Sequence, residues 1–304
     1  MERWELVRAF ITGPLIEVAV PKPGNVNRFT DFEDLSIYNF LSAYPALAGI
    51  YHEAVRRAEL IRSRTLSPGE AGIGELIRRS VEATKRVQGG NPNFGVIVLS
   101  IPLMMGLSMT KKLREGGEKA RTLIAESSVR DTMELYRAIR IANPKGLPRG
   151  VKYDVYSEKA FEELFRDGVN LWRLAEMSCE REMVFCEWLS AYETTYRVFD
   201  RILELAGELP LEDAVVRAFL ELLAEKGDSL IRRKAGEGEY SLVREKAGEV
   251  LRGRLSLEDF DSFLREKGDL RNPGSVADVT AVALSLVFLA GAKVETRNGR
   301  AWLR

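Results

Sequence analysis

Histidine is almost missing from this 304-residue chain, in which His52 is the only one. One histidine argues against a Ser–His–Asp triad and rules out a multi-histidine metal site. Net charge is missing too, since 45 Lys+Arg balance 45 Asp+Glu. The chain therefore has no global attraction to nucleic acid or to an anionic membrane. No run approaches the roughly 18 apolar residues of a membrane span, and the opening Met-Glu-Arg-Trp-Glu has no apolar signal core. A cytoplasmic protein without membrane or nucleic-acid partners is expected. Glutamine is reduced to Gln88 while Arg, Lys and Glu abound, a bias that fits a thermophile. The only cysteines, Cys179 and Cys186, fall in a segment that reads as helix. Seven residues at about 1.5 Å each would separate them by about 10 Å, beyond disulfide reach. They read as free thiols in a reducing cytosol. Walker A, Gly-x-Gly-x-x-Gly, Cys-x-x-Cys and Gly-x-Ser-x-Gly patterns are absent as well. What remains available is carboxylate, lysine and magnesium chemistry.

What the chain does have is helical periodicity. Residues 2–20 carry an apolar stripe of Trp4, Leu6, Val7, Phe10, Ile11 and Leu15, with Gly13-Pro14 as a point of interruption. A long pattern from Phe32 to Ile61 has Pro45 as its one serious breaker. Further helices are predicted near 70–87, 95–115, 117–142, 157–206 in pieces, 210–225, 237–252, 256–266 and 274–290. Ser256 with Asp259 has the shape of a helix cap. The tail reads as a β-hairpin over 293–304, with Asn298-Gly299 as a type I′ turn. The fold expectation is all-α: a single multi-helix domain over residues 1–304 with a short C-terminal hairpin. Long amphipathic segments at 32–61 and 180–206 suit packing within that domain or across a homodimer.

Several helix connections are rich in Pro, Gly and Asn. They are Pro21-Lys22-Pro23-Gly24-Asn25, Gly89-Gly90-Asn91-Pro92-Asn93-Phe94-Gly95, Asn143 to Pro148, Arg232-Arg233-Lys234-Ala235-Gly236 and Asn272-Pro273-Gly274-Ser275. Such residues commonly terminate helices. They also let backbone approach a ligand and present free N–H groups to an anion. Lys22, Arg233 and Lys234 are the cations most clearly placed in these segments, as phosphate ligands or as solvated surface. Asp31 and Asp34, three apart at a helix entrance, read either as caps or as a pair able to hold Mg²⁺ beside substrate phosphates. Asp278, early in the last apolar helix, needs a specific partner, because an unpaired buried charge is costly. Asp131 is a cap or a similar functional acid. His52, Met104-Met105 and Phe185 with Trp188 read as structural.

Taken in order, these segments resemble one family. The series Glu17…Pro21-Lys22-Pro23-Gly24-Asn25-Val26, Gly90-Asn91-Pro92-Asn93-Phe94-Gly95, Tyr153-Asp154-Val155, Arg232 to Gly236 and Asn272-Pro273-Gly274-Ser275-Val276-Ala277-Asp278 is similar to triphosphoribosyl-dephospho-CoA synthase. The likeness runs from about residue 10 to 290. It implies an all-α fold and Mg²⁺-dependent transfer of the 5-triphosphoribosyl group of ATP to a hydroxyl of 3′-dephospho-CoA, or of a related acceptor, with adenine leaving. It implies catalytic or metal roles for Asp34 and Asp278, with Asp31 beside them, and leaves open which is base and which is ligand. Substrate contacts are implied for Lys22, Gly24, Asn25, Gly90, Asn91, Asn93, Arg233, Lys234, Asn272 and Ser275. Two departures stand out: Phe32 and Asn93 occupy places where the family pattern carries histidine, which marks a divergent, archaeal-like branch. A Mg²⁺-dependent N-glycosidic hydrolase, using water as acceptor, and a non-catalytic nucleotide or CoA sensor are the competing readings.

Overall fold

Two segments of this chain are apolar on every side, and they become the centre of the protein. The structure is a computed structural model that describes residues 2–90 and 92–304. In chain order its helices are α1 (Arg3–Ala19), α2 (Ile37–Ala46), α3 (Ala48–Arg62), α4 (Ile73–Val87), α5 (Phe94–Ser108), α6 (Gly116–Ala125), α7 (Val129–Ala142) and α8 (Lys159–Arg166). There follow α9 (Leu171–Ser178), α10 (Met183–Leu189), α11 (Glu193–Ala206), α12 (Leu211–Lys226), α13 (Ser229–Ala235), α14 (Glu237–Leu251), α15 (Leu257–Arg265) and α16 (Gly274–Leu289). Strands β1 (Val294–Arg297) and β2 (Arg300–Leu303) close the chain. Helices α5 and α16 are the all-apolar pair and are buried around nearly their whole circumference, as such helices must be. The remaining helices lay an apolar stripe against this pair or against one another. Among the described residues no helix is long and apolar enough to cross a membrane.

Close helix crossings depend on glycine. Along α1 and α16 the backbones approach at Gly13, where a Cβ would stand 2.4 Å from the Ser285 nitrogen. At the α4–α7 crossing, a Cβ on Gly74 would stand 1.9 Å from the Asp131 carbonyl oxygen. Gly74→Ala should therefore lower the unfolding free energy by about 3 kcal/mol, the upper end of overpacking costs, because rigid backbone is the obstacle. Gly49→Ala, on α3 with nothing within 4 Å of the new Cβ, should instead raise it by about 0.5–1 kcal/mol through helix propensity. Urea titrations of the two variants check both signs.

Local expectations hold in several places. The hairpin pairs Arg297 with Arg300, and Asn298 and Gly299 both take the positive φ that a type I′ turn requires. Arg300 ties this hairpin to α12 through both oxygens of Asp213. The Ser256 side chain caps α15 by accepting from the Asp259 N–H. Asp131 is a capping residue, bonded to Ser128 and to the Gly74 N–H. His52 stacks near Trp4 and contacts Arg3. Met104, Met105 and Trp188 are fully buried and Phe185 nearly so.

Other expectations need correction. Gly13-Pro14 does not interrupt α1, which packs both residues against its neighbours. The 32–61 pattern starts only at Ile37, behind a Ser36–Asn39 capping box, and divides at Leu47 after Pro45. The 117–142 stretch breaks before the Ser128 cap. The segment 232–236 is not a loop; most of it is α13, whose start is the Asp228 cap. The cysteines are also corrected. Cys179 and Cys186 form a disulfide with Cα atoms 4.6 Å apart. The helix assumed between them does not exist, because the chain turns between the end of α9 and the start of α10.

Candidate active site

The Pro-, Gly- and Asn-rich connections gather around one cavity of about 790 Å³. Its floor is built by the end of α1, the loop after it, and the first turns of α5 and α16. Its walls come from α2, the long 143–158 connection, the α9–α10 turn and α13.

Lys22 reaches the cavity although it is 1 % exposed. Its Nζ donates to the Glu17 carbonyl at 2.5 Å and the Val20 carbonyl at 3.3 Å, and pairs with Glu17 Oε1 at 3.0 Å. Two carbonyls at the end of α1 thus accept from the ammonium, and Glu17 Oε1 stands within ion-pair distance without accepting a hydrogen bond. Burial raises the Glu17 carboxyl pKa and lowers that of Lys22, while each partner's charge opposes the shift. Lys22 therefore stands in the floor as the partner of Glu17.

Asp278 lies in the second turn of α16, and its carboxylate covers Gly95. A Cβ at position 95 would stand 2.0 Å from Asp278 Oδ2. The carboxylate stands at the start of α5, and burial with the nearby charges of Glu17 and Asp228 pushes its pKa well up. Tyr44, fully buried in the same floor, has its phenol pushed up by burial and by Glu17 and Asp278.

Asp228 was not foreseen from sequence. Its Oδ1 accepts from the Leu230 and Ile231 N–H groups at the start of α13, and its Oδ2 from the Val276 N–H at the start of α16. Burial raises its pKa to about 6. One carboxylate thus fastens two helix N-termini together. Beside it the Ser229 and Ser275 hydroxyls are 2.8 Å apart, and Ser229 accepts from the Met183 N–H.

The predicted cations line the wall but already have partners. Arg233 pairs with Glu182 and donates to the Lys145 carbonyl. Lys234 and Lys145 share the Asp269 carboxylate at 3.0 and 3.1 Å. Asn25 donates to Asn272 at 2.6 Å, which leaves its own Oδ1 buried without a partner among the described residues. Gly90 and Ser275 also face the cavity. Gly24 does not; its positive φ makes the turn and its N–H donates to Asp261. Asn93 is buried beneath the lining, with neither side-chain polar atom partnered among the described residues. Asn91 lies outside the described residues.

The Asp31–Asp34 pair is corrected. Both precede the Ser36 cap, and Asp31 accepts from the Ile37 N–H at 2.8 Å without lining the cavity. Asp34 alone stands at the rim, exposed. Phe32, at the first departure from the family pattern, lines the cavity under the Arg265 guanidinium. Glu182, which reads from sequence as part of a surface ion-pairing helix, pairs with Arg233 at the wall; Tyr44 went unnoticed because its surroundings depend on residues distant in sequence.

A protein-family model, CitG, described as ATP:dephospho-CoA triphosphoribosyl transferase, matches residues 3–297. No curated protein matches this chain. Among solved structures, it is similar to the crystal structure of an Archaeoglobus fulgidus protein provisionally named triphosphoribosyl-dephospho-CoA synthase. The TM-score is 0.61 at 21 % identity, covering 84 % of this chain and 99 % of that one. At that identity the likeness speaks for the fold.

Proposed function

The chain belongs to the ATP:dephospho-CoA triphosphoribosyl transferase family, and on that premise we propose how its cavity carries the reaction. The enzyme moves the 5-triphosphoribosyl group of ATP to a hydroxyl of dephospho-CoA, with adenine leaving. The bond from C1′ to the base nitrogen breaks as a bond from the acceptor oxygen to C1′ forms. The proton of the hydroxyl ends on adenine. Such a displacement passes through an oxocarbenium-like state, which nearby carboxylates stabilise.

Asp278 is the base. The observation that carries this assignment is its placement: a carboxylate enclosed between Gly95 and the start of α5, with its pKa pushed up by burial and by Glu17 and Asp228. In its ionised form a carboxylate of raised pKa is the stronger proton acceptor for the hydroxyl, and positive charge developing at C1′ favours that form. Its close packing on Gly95 holds it in place while the proton moves. Asp34, exposed at the rim, faces the solvated triphosphate end.

Mg²⁺ would neutralise charge on that triphosphate. Among the described residues no group of three or more His, Cys, Asp or Glu side chains is assembled for a metal. Asp34 offers one hard oxygen ligand, and Mg²⁺ commonly takes one or two carboxylates with phosphates and waters. The fit is to an ion that arrives with the nucleotide. We place the reaction in the cytoplasm, where ATP is available.

Incubation of the protein with ATP, Mg²⁺ and dephospho-CoA should release adenine in step with a triphosphoribosylated product, read by chromatography. Adenine released equally well without acceptor would favour the hydrolase instead. ATP binding with no turnover on any acceptor would favour the sensor.

A further inference from the structure

The cavity has a second character that the reacting floor does not use. Where α7, the 143–158 connection and α9 meet, five apolar residues line it, Ile139, Leu147, Val151, Leu174 and Met177, with Lys145, Lys152 and Asp154 among them. Val151 and Met177 are 47 % and 50 % exposed, so they present hydrocarbon to the open cavity and not to the core. Single exposed apolar residues are ordinary; a cluster lining one wall of a functional cavity marks a binding surface.

That wall is held in shape before any ligand arrives. Tyr136 donates from its hydroxyl to the Tyr153 carbonyl at 3.0 Å, and Arg140 donates to the Val155 carbonyl at 2.6 Å, fixing the connection to α7. Arg233 donates to the Lys145 carbonyl at 3.1 Å, fixing its other end to α13. A preformed surface loses little entropy on binding. Near it, on the α9–α10 turn, Arg181 lines the cavity and has no carboxylate within ion-pair reach among the described residues. The other wall arginine, Arg233, is paired.

Resting on the transferase reading above, we propose that this wall is the subsite for the pantetheine arm of the acceptor, with Arg181 on the acceptor's diphosphate. ATP is polar everywhere except its base, and it must put C1′ at the floor beside Asp278. Only the acceptor carries a long arm with a gem-dimethyl group and alkyl segments. That arm has to leave the reacting hydroxyl toward a surface of matching polarity. A guanidinium matches a diphosphate by shape and charge. The wall therefore distinguishes acceptor from donor.

Equilibrium binding tests this without turnover, because ADP is dephospho-CoA without its arm. The wild-type protein should bind dephospho-CoA at least about tenfold more tightly than ADP. A Val151→Asp, Met177→Gln double variant, altered only at exposed positions, should shrink that gap to about threefold or less and leave ATP affinity unchanged. Arg181→Ala should weaken dephospho-CoA and ADP alike. Equal wild-type affinity for the two ligands would overturn the proposal, as would an undiminished gap in the double variant or a matching loss of ATP affinity. An Arg181→Ala protein binding both ligands normally would overturn the diphosphate contact. A separate adenine-release assay keeps the two ideas apart: arm-dependent binding without transfer counts against the transferase reading and leaves the subsite standing.

Discussion

Asp278→Asn should cut adenine release by about 10²–10⁴-fold, the span expected on removing a general base, while the protein stays folded. The amide keeps the shape that fits over Gly95. It cannot take a proton. The stability effect has the opposite sign to the usual loss. Because folding raises the Asp278 pKa, the folded state favours its neutral form, so this group's stabilising contribution is complete at low pH and is lost as pH rises through the folded pKa. The Asn variant is neutral at every pH. Its unfolding free energy should therefore match the wild type in acid and exceed it increasingly toward neutral pH, as read by denaturant midpoints. Gly95→Ala supplies a companion result, since its Cβ would stand 2.0 Å from Oδ2 and displace the carboxylate. Activity should fall within about tenfold of the Asn variant although Asp278 is intact. Normal turnover in both variants would remove Asp278 from the chemistry.

Lys22→Met should destabilise the fold by about 3–5 kcal/mol, the cost of leaving a buried partner charge uncompensated. Glu17 is 5 % exposed and Lys22 1 %, so water cannot replace the lost ammonium. The lysine also closes two carbonyls at the end of α1. A Glu17→Gln, Lys22→Met double variant should recover most of that loss, to within about 1–2 kcal/mol of wild type, because no charge is left stranded. With the Glu17→Gln single variant and wild type these form a double-mutant cycle, and urea unfolding reads the coupling directly. Additive losses across the cycle would show that the pair does not act as a unit.

The legible parts of this protein are those governed by near neighbours in the chain. The Asn298-Gly299 turn and the Ser256–Asp259 cap follow from local backbone chemistry, and both stand where expected. Met104-Met105 and Phe185 with Trp188 read as structural and are buried. Contacts across the chain were illegible. Helix α13 was read as a basic loop because its start lies at Asp228, whose second oxygen is committed to Val276, 48 residues later. The disulfide was missed because a continuous helix was assumed through 179–186. The Arg233–Glu182 pair and the bond from Met183 N–H to Ser229 hold that stretch in another path. Asp31 looked equivalent to Asp34 by spacing, yet the Ser36–Asn39 cap places the helix start beyond both. Asp278 stood out because an acid amid apolar residues must answer to something specific, and its carboxylate lies against Gly95 at the start of α5, on the cavity.

Carboxylates of the protein already stand at three of the helix N-termini around the cavity: Asp278 against the start of α5, and Asp228 on both α13 and α16. Those dipole ends are neutralised internally and leave little for an incoming anion. Anion affinity then belongs to side chains that line the cavity: Lys85, on α4 and without a carboxylate partner among the described residues, is the cation left for ATP, since Arg181 serves the acceptor. Ionic strength becomes the controlling variable. The screening length shrinks from about 10 Å at 0.1 M salt to about 3 Å at 1 M, so the KM for ATP should climb steeply over that range while the melting temperature barely moves.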